Sequence, residues 1–135
     1  MQPALIDTDI LSYFLKGDPV VTRNVANCLE HHPFVTFSII TYYEICSGLV
    51  YKDARNLLQI FEKFAAKSDI LQIDEGSCQR SSQLYAQLQK KGNTIDDMDL
   101  LIAGIAIEHD LTLITNNEKH FLSIPGLKTQ NWKQP

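Results

Sequence analysis

Short apolar runs alternate along this chain with longer stretches in which apolar residues recur at helical spacing. Ala4-Leu5-Ile6 is a short apolar run bounded by polar residues, the mark of a buried strand. Ile10 to Leu15 carries a helical pattern that stops at Gly17, and Asp18-Pro19, an N-cap followed by Pro at the first helical position, opens a helix to about Leu29. Phe34-Val35-Thr36-Phe37 predicts a second strand. Ser38 to Leu49 predicts a helix with Tyr42, Ile45 and Leu49 on one face and Glu44 off it. Asp53 is the expected cap of a helix through Leu57, Leu58, Ile60, Phe61 and Phe64, followed by a strand at Ile70-Leu71-Gln72-Ile73. Asp74 or Glu75 starts the next helix, which ends at Lys90-Lys91-Gly92, with cations in the last turn and then a glycine stop. Asp96 opens a strongly apolar helix, Leu100 to Ile107; Leu111 to Thr115 is a strand, Glu118 to Leu122 a short helix, and Gly126 to Thr129 leads into a last edge strand.

Regular alternation of strand and helix predicts an α/β fold in three layers, a mostly parallel sheet flanked by helices on both faces. With 135 residues and no linker, repeat or low-complexity segment, residues 1–135 are expected to form one domain with one core. Ligands of such sheets bind outside the carboxyl ends of the strands. Asp7 and Asn117 both follow predicted strands.

That placement draws attention to four stretches: Ala4 to Asp9, Thr41-Tyr42-Tyr43-Glu44, Ile95-Asp96-Asp97-Met98-Asp99, and Leu113 to Asn117. Gathered carboxylates repel one another unless a cation neutralises them, and hard divalent cations such as Mg²⁺ and Mn²⁺ take oxygen ligands of this kind. The simplest chemistry for the set is metal-assisted phosphoryl transfer or phosphodiester hydrolysis. Each acid also has a plainer reading. Asp7 could cap the helix at Ile10, but Asp9 is better placed for that task, which leaves Asp7 for a site. Glu44 sits inside an apolar helix, where a solvated face would explain it equally well. Asp96, Asp97 and Asp99 crowd a first helical turn that favours acids anyway; Asp96 is the natural cap with a possible outer role, and Asp99, one turn in, is the preferred ligand. Asn117 could be a turn residue, and Thr115 could hold a water or a phosphate.

The net charge is −4, with 12 Lys and Arg against 16 Asp and Glu, and no long basic run. Binding to nucleic acid by charge alone is thereby disfavoured, whereas a bound metal would still supply local positive charge. Cys28, Cys46 and Cys78 are widely spaced and form no Cys-x-x-Cys pair, as expected of reduced thiols in a cytoplasmic protein. No signal peptide or membrane-spanning stretch is recognisable. His31 and His32 diverge on a helix, and His109 and His120 sit among polar residues, so surface histidines are expected and a histidine-based, metal-free nuclease mechanism is disfavoured.

The four stretches, taken in order, resemble the PIN-domain family, in particular the VapC-type toxins of bacterial toxin–antitoxin pairs. The likeness lies in Leu5-Ile6-Asp7-Thr8-Asp9-Ile10-Leu11; in Ser38 to Glu44 with Gly48; in Gly92 through Asp99-Leu100-Leu101-Ile102-Ala103; and in Leu113 to Asn117 with His120-Phe121. It continues in Gly126-Leu127 to Asn131-Trp132 and covers nearly the whole chain. The resemblance implies a parallel sheet between helices, Mg²⁺ or Mn²⁺ held by acids that map onto Asp7, Glu44 and Asp99, and cleavage of RNA. A fourth catalytic position, often Asp in the family, maps onto Asn117, a neutral amide and a weaker ligand for a second metal. Asp9 falls where the family often has Asn and, with Asp96 and Thr115, would act from outside the ligand set. Lys16, Lys52, Arg55, Lys90 and Lys91 are candidates to meet the RNA. A homodimer restrained by a cognate antitoxin is also implied, and the helix from Asp53 to Lys67 holds more apolar residues than one buried face requires.

Two other readings compete. Asp7-Thr8-Asp9 imitates the Asp-x-Asp of haloacid-dehalogenase-type phosphatases, with Asp96-Asp97 as the late acidic pair. That pair, however, follows Gly92-Asn93-Thr94 where the phosphatases have a strand, and no lysine stands at a convincing strand end. A non-catalytic binding module, in which the acids are only caps and solvated faces, would have no specific Mn²⁺ site.

Overall fold

Ala4–Ile6 forms β1, the innermost strand of the fold, and pairs in parallel with β4 (Thr112–Ile114), Leu5 opposite Leu113 and Ile6 opposite Ile114. A computed structural model describes residues 2–134 of the chain. On the far side of β4 lies β5 (Thr129–Gln130), also parallel. β2 (Thr36–Ser38) and β3 (Asp69–Leu71) make a second parallel ladder, with β2 packed beside β1. The predicted parallel sheet is therefore present as two hydrogen-bonded pieces, in the orders β1-β4-β5 and β2-β3.

Six α-helices connect the strands among the described residues: α1 (Thr8–Leu15), α2 (Pro19–His31), α3 (Ile39–Tyr51), α4 (Arg55–Ala66), α5 (Glu75–Lys90) and α6 (Asp97–Glu108). A 3-10 turn covers Glu118–Phe121. Strand alternation divides the core between the two faces. Ile6 and Ile114 point to one side, into a cluster with Ile10, Leu11, Val21, Val25, Phe37, Phe61 and Trp132. Leu5 and Leu113 point to the other, against Leu84, Leu88, Leu100, Ile102, Ile105 and Phe121. β1 and β4 are buried on both faces, which is why β1 reads as an unbroken apolar run and β4 as one broken only by the buried Thr112.

The structure shifts several expected boundaries. The second strand begins at Thr36 and ends at Ser38, leaving Phe34 exposed before it, because Ser38 both closes the strand and caps α3 by accepting from the Thr41 N–H at 3.1 Å. The third strand covers Asp69–Leu71, and Ile73 lies exposed beyond it. Asp53 does not cap α4. Its backbone adopts φ +53° in the turn, its carboxylate pairs with Arg55 at 3.0 Å, and the cap position falls to Ala54, which has no side-chain acceptor. Asp74, Asp96 and Asp18 cap their helices as expected, Asp74 in a reciprocal box with Ser77. Of the apolar excess on α4, Phe61 and Ala65 are buried, Ile60 is exposed, and Leu57 lines a small groove with Leu15, Lys16, Glu44, Leu49 and Lys52.

α5 and α6 form the most extensive helix pair. Gly104 makes their close approach possible: a Cβ there would press on the Ser81 hydroxyl and come within 2.9 Å of the Ser77 carbonyl oxygen. Ser81 in turn donates to the Leu100 carbonyl at 2.9 Å and ties the two helices together. Gly104→Ala is expected to lower stability by about 1–3 kcal/mol, the cost of overpacking against backbone that cannot yield. Urea unfolding should show a lower midpoint with an unchanged slope; a variant as stable as the parent would mean that the helices separate freely.

Candidate active site

Every acid singled out in the sequence lies at the end of a strand or in the first turns of a helix, and the parallel topology brings most of these ends to one edge of the sheet. Asp7 follows β1 directly; its N–H donates to the Ile114 carbonyl at 2.9 Å, continuing the β1–β4 ladder by one residue. Its carboxylate is the N-cap of α1, accepting from the Thr8 N–H at 2.8 Å. This reverses the expectation that Asp9 takes the cap and leaves Asp7 without one. Asp9 is already in the first turn, where Oδ1 accepts from its neighbour's N–H, that of Ile10, at 2.7 Å. Oδ2 reaches the β4 loop, accepting from the Asn116 N–H at 3.0 Å and from the Thr115 hydroxyl at 3.5 Å. Capping and a place in the site are compatible, since the cap uses one carboxylate oxygen.

Asp7 is buried, and its carboxyl is pushed up to about 7 from an ordinary value of 3.8. Burial is the main cause; the charges of Asp9 and Asp99 add to it, and the Thr8 N–H and Thr115 hydroxyl oppose it. Asp9 is also held above the usual carboxylate range, again chiefly by burial, against the N–H groups of Ile10 and Asn116. The charges of Asp9 and Asp99 thus reach Asp7 across the loops.

Glu44 projects from α3 and is held at the α1 side of the cluster by the Thr8 hydroxyl, which donates to Oε1 at 2.7 Å. With that proton committed, the 3.0 Å contact between the Thr8 and Thr41 hydroxyls is a donation from Thr41. Thr8 and Thr41 were not among the residues singled out in the sequence; the only hint was a hydroxyl directly after Asp7 and another at the start of the Glu44 stretch. Asp99 lies in the first turn of α6, half-buried, with Oδ2 2.8 Å from His120 Nε2. The expectation that His120 is an unengaged surface residue is therefore corrected: the 3-10 turn carries it back over α6. Asp96 is exposed and caps α6 through the Met98 N–H at 3.2 Å. Thr115 is fully buried and accepts from the Asn117 N–H at 3.1 Å. Asn117 heads the 3-10 turn with its side chain exposed and making no cap bond.

No Lys or Arg among the described residues pairs with Asp7, Asp9, Glu44 or Asp99; the ion pairs of this chain lie elsewhere, apart from that of Asp99 with His120. An all-oxygen donor set with a buried, uncompensated carboxyl at its centre suits a hard divalent cation. Among the described residues no three His, Cys, Asp or Glu side chains are gathered closely enough to hold a metal ion by themselves.

A parallel sheet lies between helices, with Asp7 at the carboxyl end of β1, Glu44 tied to Thr8, and Asp9 and Asp99 close enough for their charges to act on Asp7; the architecture is that of an α/β protein with an acidic site at one end of its sheet. The family profile of the PIN domain matches residues 4–127, and the chain belongs to that family. Its relatives are VapC ribonucleases. It is 28% identical over 130 residues to the tRNA(fMet)-specific endonuclease VapC of Shigella flexneri, covering 95% of this chain and 96% of the relative. It is 36% identical over 118 residues to ribonuclease VapC1 of Methanocaldococcus jannaschii, covering 87% and 77%. Among solved structures, VapBC2 of Rickettsia felis bound to a DNA fragment from its promoter superposes with a TM-score of 0.88 at 27% identity, over 96% of this chain and 98% of the other. The phosphatase alternative loses its footing here, since Asp96 and Asp97 follow a loop and no strand.

Proposed function

We propose that this chain is a metal-dependent endoribonuclease and the toxin of a toxin–antitoxin pair, with residues 1–135 acting as one nuclease domain in the cytoplasm. The observation that carries the reading is the buried carboxyl of Asp7, pushed up to about 7 beside Asp9 and Asp99 with no basic partner, in a chain whose relatives are VapC ribonucleases. Divalent-metal dependence is general among PIN nucleases; Mg²⁺ or Mn²⁺ is the ion that this donor set suits best.

Asp7, Glu44 and Asp99 are the proposed ligands, directly or through water. When bound, the cation supplies Lewis-acid activation of water and stabilises charge on the phosphate oxygens. The protein's own part is orientation. The Asp7 cap and the Asn116 N–H on Asp9 fix two carboxylates relative to the sheet, and Thr8, backed by Thr41, fixes Glu44. Asn117, exposed at the head of its turn, is the fourth catalytic position and offers an amide to the scissile phosphate or its water shell. Asp96 and Thr115 support the loops from outside. Lys16 and Lys52, which line the groove beside Glu44, are the cations best placed to meet the RNA backbone. No protein nucleophile and no covalent intermediate is needed.

The same groove, with Leu15, Leu49 and Leu57 on its walls, and the exposed Ile60 supply apolar surface for an antitoxin and for a homodimer. The related VapBC structures are toxin–antitoxin complexes, in keeping with such a partner. Among the described residues no helix is long and apolar enough to cross a membrane.

Two experiments test this reading. Purified protein should cleave RNA with Mg²⁺ or Mn²⁺ and stop in excess chelator; undiminished cleavage in chelator would refute it. Expression without an antitoxin should arrest growth, and co-expression with an antitoxin encoded beside the gene should restore it through a stable complex. Normal growth despite abundant folded protein would remove the toxin assignment.

A further inference from the structure

We infer that His120 is a positioning residue that holds Asp99 in the orientation a divalent cation requires; the inference rests on the metal-dependent reading above. The bond itself is short, 2.8 Å from His120 Nε2 to Asp99 Oδ2, and joins residues 21 apart in the chain on two different elements. Tertiary structure alone creates it. It is not a loose surface pairing, for both side chains are half-buried and the histidine is anchored on several sides. Its backbone N–H donates to the Asn117 carbonyl at 3.1 Å. Its ring meets Phe121 edge to face at 5.1 Å, and Phe121 is buried in the α5–α6 core. The turn is tied down from its other end by Glu118, which accepts from the Thr129 hydroxyl at 2.7 Å.

The bond engages one oxygen of Asp99. Among the described residues no hydrogen bond reaches its Oδ1. A carboxylate with one oxygen tied to a rigid donor and the other free is the usual state of a metal ligand, whose outer hydrogen bonds fix its direction and tune its affinity. The rest of the site repeats the pattern: Thr8 donates to one oxygen of Glu44, and the Thr8 N–H to one oxygen of Asp7. His120 can perform this task with a hydrogen on Nε2 in either charge state, so no titration is invoked.

The test compares Mn²⁺ affinity, read from free Mn²⁺ by electron paramagnetic resonance, in the parent and in two variants of similar bulk. His120→Leu cannot donate, whereas His120→Gln presents an amide N–H at a reach close to that of Nε2. Loss of an outer hydrogen bond of this type weakens metal binding by about 10-fold or more, so the Leu variant should bind about 10-fold more weakly and the Gln variant should recover most of the loss. His120→Ala repeats the comparison without adding an apolar branch. Melting temperatures in chelator give the separate structural cost of each substitution; a loss of Mn²⁺ affinity that merely follows that cost, with no recovery in the Gln variant, would mark a purely structural role and overturn the inference. Unchanged affinity in the Leu and Ala variants overturns the inference while leaving the metal reading in place. Tighter binding in those variants overturns it too, and would make His120 a competitor of the metal. Absence of any Mn²⁺ site in the parent removes both.

Discussion

Asp7→Asn is expected to lower metal-dependent RNA cleavage by about 100-fold or more, the scale on which removal of one charge-stabilising group acts in a preorganised site, while leaving the fold intact. The two halves of this expectation come from the two roles of one side chain. As an N-cap, Asn serves as well as Asp, so α1 keeps its acceptor for the Thr8 N–H. As a ligand, Asn lacks the charge that draws a hard cation into a half-dry pocket beside Asp9 and Asp99. Circular dichroism and the melting temperature would report the cap, and cleavage of a labelled RNA with millimolar Mg²⁺ would report the ligand. A variant with full activity would show that Asp7 is no more than a helix cap.

The second large effect concerns stability without metal. The Asp7 carboxyl is pushed up to about 7 in the folded chain from an ordinary 3.8. Between these values the folded state holds a proton that the unfolded state has released. Unfolding therefore becomes easier as pH rises through this window, and the loss is complete above about pH 7. The shift corresponds to roughly 4 kcal/mol at its largest. Metal-free protein should therefore melt at a higher temperature near pH 5 than near pH 8, and Asp7→Asn should flatten that slope and stabilise the metal-free protein at the alkaline end. Mn²⁺ added at pH 8 should raise the parent's melting temperature by ligand linkage, with a smaller gain in the variant. An identical pH slope in parent and variant would mean that the buried carboxyl is relieved by some other route, and no response to millimolar Mn²⁺ would return the binding-module reading to the front.

Much of this fold is legible in the chain itself. Alternation of short apolar runs with helical periodicity was enough for an α/β fold with parallel strands, because strands buried on both faces are mostly apolar, as β1 is throughout and β4 is apart from Thr112. Asp18, Asp74 and Asp96 announced their helices because capping is a local transaction between a side chain and the N–H groups two or three residues on. Asp53 misled for a related reason: a left-handed turn at φ +53° places the residue outside the helix, and the local sequence does not distinguish that turn from a cap. Phe34 and Ile73 misled because apolar character marks a strand without marking its ends.

The candidate site divides in the same way. Asp7, Asp99 and Asn117 could be singled out from the sequence because each stands at an element boundary, whereas Glu44, inside α3, stood out only through the motif that resembles a known family. Which donor holds which carboxylate could not be read there. Thr8 meets Glu44 across 36 residues, Asn116 meets Asp9 across 107, and His120 meets Asp99 across 21. Hydrophobic periodicity and caps are set by neighbours in the chain, so the sequence by itself determined the elements and the acids they carry. Contacts between elements depend on how parallel strands bring their carboxyl ends together, and a side chain of a few ångströms reaches only what packing has already placed beside it. The tertiary structure alone therefore decided that His120 meets Asp99 and that the Asp7 carboxyl is buried with no Lys or Arg beside it among the described residues.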